Sequence, residues 1–320
     1  MKKLIKICWI LLCNLLLIIF LSEMTIYINA IKEDIKAHFP NIKYLEKSTI
    51  IDIFKTNYKY TMLKYQNFDD FYVFVRKNKF RKPIGLEYKN KPILVFGGSF
   101  AWGFGLKENE NFAAHLSSLT QRPVYNRSYE MWWGPQNMLY QAQREDFYKE
   151  VPEPQYVIYI FIEEHYLRAA TKSYGLFSSY PYLHYNLDEK NNIKREKNLF
   201  WQNFITYRQF SFDKAIRMDW LEKEKLFNQI FIETKKEFDK HWNNYKFIIL
   251  IYEENELSKE KLNDRHFDTL IDNGFIIISV YDLVGRFMNE KDDLIYDKCH
   301  PSSKAWNTIT TALVKDLENK

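Results

Sequence analysis

The stretch Ile93-Leu94-Val95-Phe96-Gly97-Gly98-Ser99-Phe100-Ala101-Trp102-Gly103 decides the fold. Four apolar residues without alternation read as a strand buried on both faces, the pattern of a parallel sheet. The two glycines that follow allow backbone angles other residues resist, so the chain can turn sharply at the strand's end. A serine on that turn presents its hydroxyl above the sheet. Near the C-terminus, Asp297-Lys298-Cys299-His300-Pro301 sets an Asp three residues before a His, a spacing that lets a carboxylate orient an imidazole as a base. A structural strand-to-helix turn would use the same glycines, but Ser99 taken with Asp297 and His300 points to serine hydrolase or acyltransferase chemistry.

Further apolar runs punctuate the chain on the C-terminal side of this one: Val124-Tyr125, Tyr156 to Ile162, Phe247 to Tyr252, and Phe275 to Val280. Helix-like stretches separate them at Asn109 to Leu119, Pro135 to Tyr148, Asp219 to Trp242 and Lys259 to Asp272, and a last one spans Ser302 to Leu317 with Ser302 as its N-cap. This β-α alternation predicts an α/β protein with a doubly wound parallel five-stranded sheet. Residues 169–218 are longer than an ordinary connection and rich in aromatics, which predicts a lid or substrate wall.

The N-terminus sets the compartment. Met1-Lys2-Lys3 precedes an apolar run from Leu4 to Leu21, about the ~20 residues that cross a bilayer. Residues 1–23 therefore read as a transmembrane signal anchor, with lysines before the run and Ser22-Glu23 after it. The positive-inside tendency puts the N-terminus in the cytoplasm and the remainder outside, on the periplasmic side of an inner membrane. A cleavable signal peptide competes, although the run is long for one and Ile28-Asn29-Ala30 is a poor cleavage site. Residues 24–89 read as a stalk and lead-in region containing the short run Phe71 to Val75, and 90–320 as the catalytic domain.

Composition excludes several classes. Net charge is only +5 over 320 residues with lysines scattered among acids, so nucleic acid is not an expected partner. Two of three cysteines, Cys8 and Cys13, lie in the membrane run, which leaves Cys299 alone: no disulfide framework and no Cys/His metal spacing. A lone cysteine of this kind most often packs as a small hydrophobe. Gly103 and Gly105 lack the third glycine of a dinucleotide fingerprint and the Lys-Ser/Thr of a P-loop, so no cofactor is expected. The aromatic share of 18% is high enough to supply both a large core and sugar-stacking surfaces.

The order of strand, Gly97-Gly98-Ser99, then Asn126 and Gly134, then Asp297-x-x-His300-Pro301 resembles the SGNH (GDSL-type) hydrolase superfamily over residues 90–318, and within it membrane-anchored bacterial members with an Arg-x-Pro segment, here Arg81-Lys82-Pro83. The resemblance implies the flavodoxin-like fold of that superfamily, Ser99 as nucleophile, Gly134 as an oxyanion-hole N–H, Asp297 as orienting acid and His300 as base. Two positions depart from the superfamily pattern. Gly98 stands where an Asp supporting the turn is usual, and Glu163-Glu164-His165 stands where Gly-x-Asn-Asp is usual, so His165 takes the place of an oxyanion-donating Asn and Arg168 becomes a candidate to bind an anionic group or fix the loop. Trp132 and Trp133, beside Gly134, are either pocket residues or packing.

Three functions fit these residues. One is an extracytoplasmic esterase or O-acyltransferase acting on short acyl esters of a cell-envelope glycan. Another is a lipid-ester hydrolase of lipase or lysophospholipase type at the same membrane. The third is a non-catalytic glycan-binding or assembly protein with an altered oxyanion loop.

Overall fold

The computed structural model describes residues 80–129, 133–170, 183–196, 217–261, 267–295 and 298–319, with a few isolated positions besides. The run Leu4 to Leu21 apart from Asn14 and Ile18, the run Phe71 to Val75 and most of the 169–218 segment lie outside the described residues. Among the described residues no helix is long and apolar enough to cross a membrane. Of the chain's two compact units, the one built from 69–171, 183–197 and 215–320 holds the described structure, and the other lies almost wholly outside it.

Five strands form the sheet: β1 (Ile93–Phe96), β2 (Val124–Asn126), β3 (Tyr156–Phe161), β6 (Lys246–Ile251) and β7 (Phe275–Ser279). Every pairing is parallel and the order is β2-β1-β3-β6-β7. All five expected runs are therefore strands. Because β1 is followed by a neighbour on one side and then on the other, the order reverses between β1 and β3, which opens a crevice at their carboxyl ends.

The sheet's two faces are chemically different. Ile93 and Val95, Ile158 and Ile160, Ile248 and Leu250 belong to an aliphatic cluster with Leu116 of α2 (Phe112–Thr120) and Trp306, Ile309 and Leu313 of α10 (Ser303–Glu318). The alternate residues meet an aromatic layer under α6 (Trp220–Asp239): Phe96 contacts Phe147 and Phe238, Tyr159 contacts Phe231, Phe161 contacts Phe227, and Phe247 contacts Phe231. Much of the chain's aromatic excess is thus interior, where each ring buries on the order of 150–250 Å². Ser302 accepts from the Ala305 N–H and caps α10 as anticipated.

The helices differ in detail from their expected spans. Pro135 to Tyr148 is two helices, α3 (Pro135–Ala142) and α4 (Glu145–Glu150), broken at Gln143-Arg144. Arg144 leaves helical geometry and pairs with Asp146, and acidic residues in the first turn of α4 suit a new N-terminus. Of Lys259 to Asp272, the described residues belong to α7 (Glu256–Lys261) and α8 (Asp268–Asp272), and 262–266 lie outside the described residues. Short helices α1 (Ser99–Trp102), α5 (Glu164–Ala170) and α9 (Val280–Val284) follow β1, β3 and β7 directly. Within 169–218, the described residues include an antiparallel hairpin, β4 (Tyr185–Leu187) with β5 (Ile193–Arg195). It docks on the corner between α3 and α4, where Tyr185 donates to Gln143 at 2.9 Å and Arg195 lies 4.8 Å over the Tyr140 ring.

Residues 80–89, read from sequence as the end of the lead-in, pack as part of the α/β unit. Ile84 bridges Val124 on the edge strand, and Arg81 is 8% exposed.

Candidate active site

Ser99 is the first residue of α1, one turn of helix set directly on the end of β1. The turn requires Gly97. Its φ is +147°, and a Cβ there would lie 2.7 Å from the Ala101 Cβ and 2.9 Å from the Ile160 carbonyl oxygen, both fixed parts of the core. Gly97→Ala is therefore expected to lower unfolding free energy by about 3 kcal/mol, combining overpacking with backbone strain. Gly285→Ala, at φ +77° with nothing within 4 Å of its Cβ, should cost only about 1 kcal/mol for the strain alone. Urea denaturation of the two variants checks this, and equal losses would refute the packing argument.

The other end of α1 is tied down by a residue whose role is invisible in the sequence. Arg81 donates from Nε to the Trp102 carbonyl at 2.6 Å and from Nη2 to those of Gly103 and Leu106 at 2.8 and 2.9 Å, while its guanidinium stacks 4.2 Å over the Trp102 ring. Carbonyls at a helix C-terminus lack intrahelical donors, so a planar cation with several N–H groups suits them. Asn126 adds a bond from Nδ2 to the Ala101 carbonyl at 2.7 Å. Between them, Arg81 and Asn126 hold the helix that carries Ser99.

His300 arrives from the far end of the sequence. Its Nε2 lies 2.7 Å from Ser99 Oγ, although the two residues are 201 positions apart in the sequence. The ring is held between Phe100 and Phe104, at centroid distances of 4.8 and 4.9 Å. Its backbone is part of a closed loop: the Ile295 N–H donates to the His300 carbonyl, Leu294 bridges Pro301, and the Ser302 N–H donates to the Asp293 carbonyl. Arg286 clamps buried Asp293 from two nitrogens at 2.6 and 3.0 Å and holds its carboxyl below the usual carboxylate range. Asp297, the expected orienting acid, lies outside the described residues, as does Trp132. Cys299 is exposed instead of the packed hydrophobe expected of a lone cysteine, and it follows Lys298 at φ +58°.

Gly134, His165 and Arg168 gather behind the Ser99 turn. Gly134 caps α3 with Pro135 at its first position, and its N–H donates to the Asn137 Oδ1 at 3.1 Å, so this candidate oxyanion donor already has an acceptor within its own helix. His165 is 1% exposed. Its Nδ1 shares a 3.0 Å hydrogen bond with the Tyr159 hydroxyl, and its buried Nε2 has no hydrogen-bond partner among the described residues. Burial, assisted by the nearby Arg168 cation, holds this imidazole well below its ordinary pKa and therefore neutral. Arg168 is 3% exposed, with Nη1 donating to the Trp133 carbonyl at 3.1 Å and Nη2 paired with Glu164. Trp133 is itself buried against Phe80 and Tyr129. The structure thus brings Ser99 and His300 into contact and places His165 and Arg168 beneath the turn, on the protein's inner side.

No protein-family model matches the chain, and no curated protein does. Solved structures are similar to it at low identity. A member of the lipolytic G-D-S-L family from Veillonella parvula is 10% identical, with a TM-score of 0.41 over 70% of this chain and 96% of the other. An acetyl xylan esterase from the rumen bacterium Butyrivibrio proteoclasticus is 12% identical, with a TM-score of 0.43 over 72% of this chain and 64% of its own. A psychrotrophic esterase from Pseudoalteromonas sp. is 12% identical, with a TM-score of 0.40 over 72% of this chain and 100% of its own.

Proposed function

We propose that this protein is an SGNH-type serine esterase or O-acyltransferase that removes or moves a short acyl group on a cell-envelope glycan. The observation that carries the proposal is the 2.7 Å contact between Ser99 Oγ and His300 Nε2 at the carboxyl edge of a parallel sheet. A serine hydroxyl becomes a competent nucleophile when a neighbouring imidazole accepts its proton.

In the proposed reaction His300 Nε2 takes the Ser99 hydroxyl proton as Oγ attacks the ester carbonyl carbon. The resulting oxyanion collapses, the C–O bond to the sugar breaks, and His300 returns the proton to the departing sugar oxygen. Water or a second sugar hydroxyl then gives its proton to His300 as its oxygen attacks the acyl-serine carbonyl; the second tetrahedral intermediate collapses, the bond from the acyl carbon to Ser99 Oγ breaks, His300 returns the proton to Oγ, and the carboxylic acid or the transferred ester leaves. Asp297 fills the role of holding His300 in the tautomer that leaves Nε2 able to accept. Phe100 and Phe104 confine the imidazole so that the proton moves over a short, fixed distance. The oxyanion would draw on the Ser99 N–H, in the first turn of α1 where no intrahelical acceptor exists, and on the Gly134 N–H released from Asn137. His165 Nε2 would join them only if the Gly98 turn shifted, because that atom is sealed from solvent.

The location is part of the same proposal. The lysine-led apolar run from Leu4 to Leu21 supports an anchor in the inner membrane with the catalytic unit on its outer side, where acylated glycans are found.

Turnover of p-nitrophenyl esters of increasing chain length by the full-length protein in detergent, combined with labelling by a fluorophosphonate, tests the reading. Labelling of Ser99 with a preference for acetyl over long-chain esters is the expected result. A preference for long chains would move the substrate to membrane lipids. No turnover and no labelling would sink the hydrolase reading and leave a binding protein on the same fold.

A further inference from the structure

We propose that Arg168 is the positioning residue of this site: its buried side chain sets the separation between the Gly98-Ser99 turn and the Trp133-Gly134 loop, and both positions are glycine because that arginine fills the space a side chain would occupy. The inference rests on Ser99 as the nucleophile and deepens that reading.

Close approaches at the two glycines define the device. A Cβ on Gly98 would stand 2.5 Å from Arg168 Nη1, 3.0 Å from the Trp133 carbonyl oxygen and 3.3 Å from His165 Nε2. A Cβ on Gly134 would stand 3.0 Å from the Arg168 Cβ and 2.5 Å from Gln136 Oε1. One side chain therefore abuts both glycines, its head against the first and its stem against the second. The head is not held by shape alone: Nη1 donates to the Trp133 carbonyl on one element, and Nη2 pairs with Glu164 on α5 itself. The backbone closes the same circuit, since Gln136 Nε2 donates to the Arg168 carbonyl at 3.2 Å.

Sheet pairing cannot supply this spacing. β1 and β3 are neighbours, but the loop from Trp133 to Gly134 follows β2 on the other side of β1, and no strand pairing ties that loop to α5. A guanidinium suits the task because its rigid fork reaches two acceptors in fixed directions, whereas a lysine's point charge reaches them one at a time. Burying it so completely is tolerable only because the charge is paired and hydrogen-bonded. An arginine this enclosed has no face left for a substrate anion.

Two measurements decide the matter. In the first, Arg168→Met keeps most of the volume and removes the fork; kcat on p-nitrophenyl acetate should fall on the order of 10²-fold because the reacting groups drift by a fraction of an ångström to an ångström. KM should change by less than about threefold, since no substrate contact is lost. Arg168→Lys should recover about tenfold of the loss. An unchanged kcat in Arg168→Met, or a loss carried by KM alone, would overturn the proposal.

The second measurement does not depend on activity. Gly98→Ala should lower the melting temperature by several degrees in the wild-type background and by less than half as much in an Arg168→Ala background, where the new methyl group has room. Equal losses in both backgrounds would show that Arg168 does not fill the space beside Gly98. If the wild type turns over no ester, the hydrolase reading fails, while this melting cycle still decides whether Arg168 and Gly98 are coupled.

Discussion

Ser99→Ala and His300→Ala are each expected to lower kcat on p-nitrophenyl acetate by on the order of 10⁵-fold, to little more than the background that binding and backbone donors sustain. The 2.7 Å contact between Ser99 Oγ and His300 Nε2 makes the two side chains one chemical unit, since neither a serine hydroxyl without a base nor an imidazole without a nucleophile can form the acyl-enzyme. The double variant should therefore be scarcely worse than either single one. Fluorophosphonate labelling should vanish in Ser99→Ala and slow strongly in His300→Ala, and both proteins should melt close to the wild type because the side chains are only partly buried. Losses that multiply in the double variant would show that the residues act separately, and retention of activity in Ser99→Ala would remove the nucleophile altogether.

The sheet was legible because its strands are continuous apolar runs. Ile93 to Phe96, Tyr156 to Phe161 and Phe247 to Ile251 are buried along their whole lengths apart from Tyr156, so no alternation was available to confuse the reading. The Ser99 turn was legible because two glycines in succession at a strand end have few other uses. What the sequence conceals is contact over distance. The sequence offers Arg81 only as the first residue of the Arg81-Lys82-Pro83 segment, and nothing local announces that the fold puts it on the carbonyls of Trp102, Gly103 and Leu106, at and beyond the end of α1.

The same limit applies behind the turn. His165 and Arg168 stand out in the sequence as departures at the third strand, which made His165 a candidate oxyanion donor and Arg168 a candidate either to bind an anionic group or to fix the loop. The fold turns them inward, His165 onto Tyr159 and Arg168 onto Trp133 and Glu164, because Gly98 leaves a space beneath the nucleophile that a side chain would otherwise claim. The expectation of a single helix from Pro135 to Tyr148 failed for a related reason. Its apolar and polar residues are spaced acceptably for one helix, and the break comes from Arg144 finding Asp146 and Tyr140.

Asp297→Asn should leave KM within about threefold of wild type while lowering kcat on the order of 10⁴-fold. His300 is located by its own backbone, through the bond from Ile295 N–H to its carbonyl and the bridge between Leu294 and Pro301, and the Arg286 clamp on Asp293 braces the strand leading into that bridge. Its ring is located by Phe100 and Phe104. With Asp297 in its proposed role, an amide at position 297 should not move the imidazole; it would change which ring nitrogen carries the proton and remove the negative charge that steadies the imidazolium. Both effects act on the chemical step and neither acts on substrate binding, so the loss belongs in kcat. Supporting the same view, the melting temperature of Asp297→Asn should stay near that of the wild type, whereas Arg286→Met, which cuts the clamp on the loop, should lower it. A kcat within tenfold of wild type in Asp297→Asn would mean that His300 works as a base without a carboxylate behind it, and that the aromatic pair and the loop alone hold it ready.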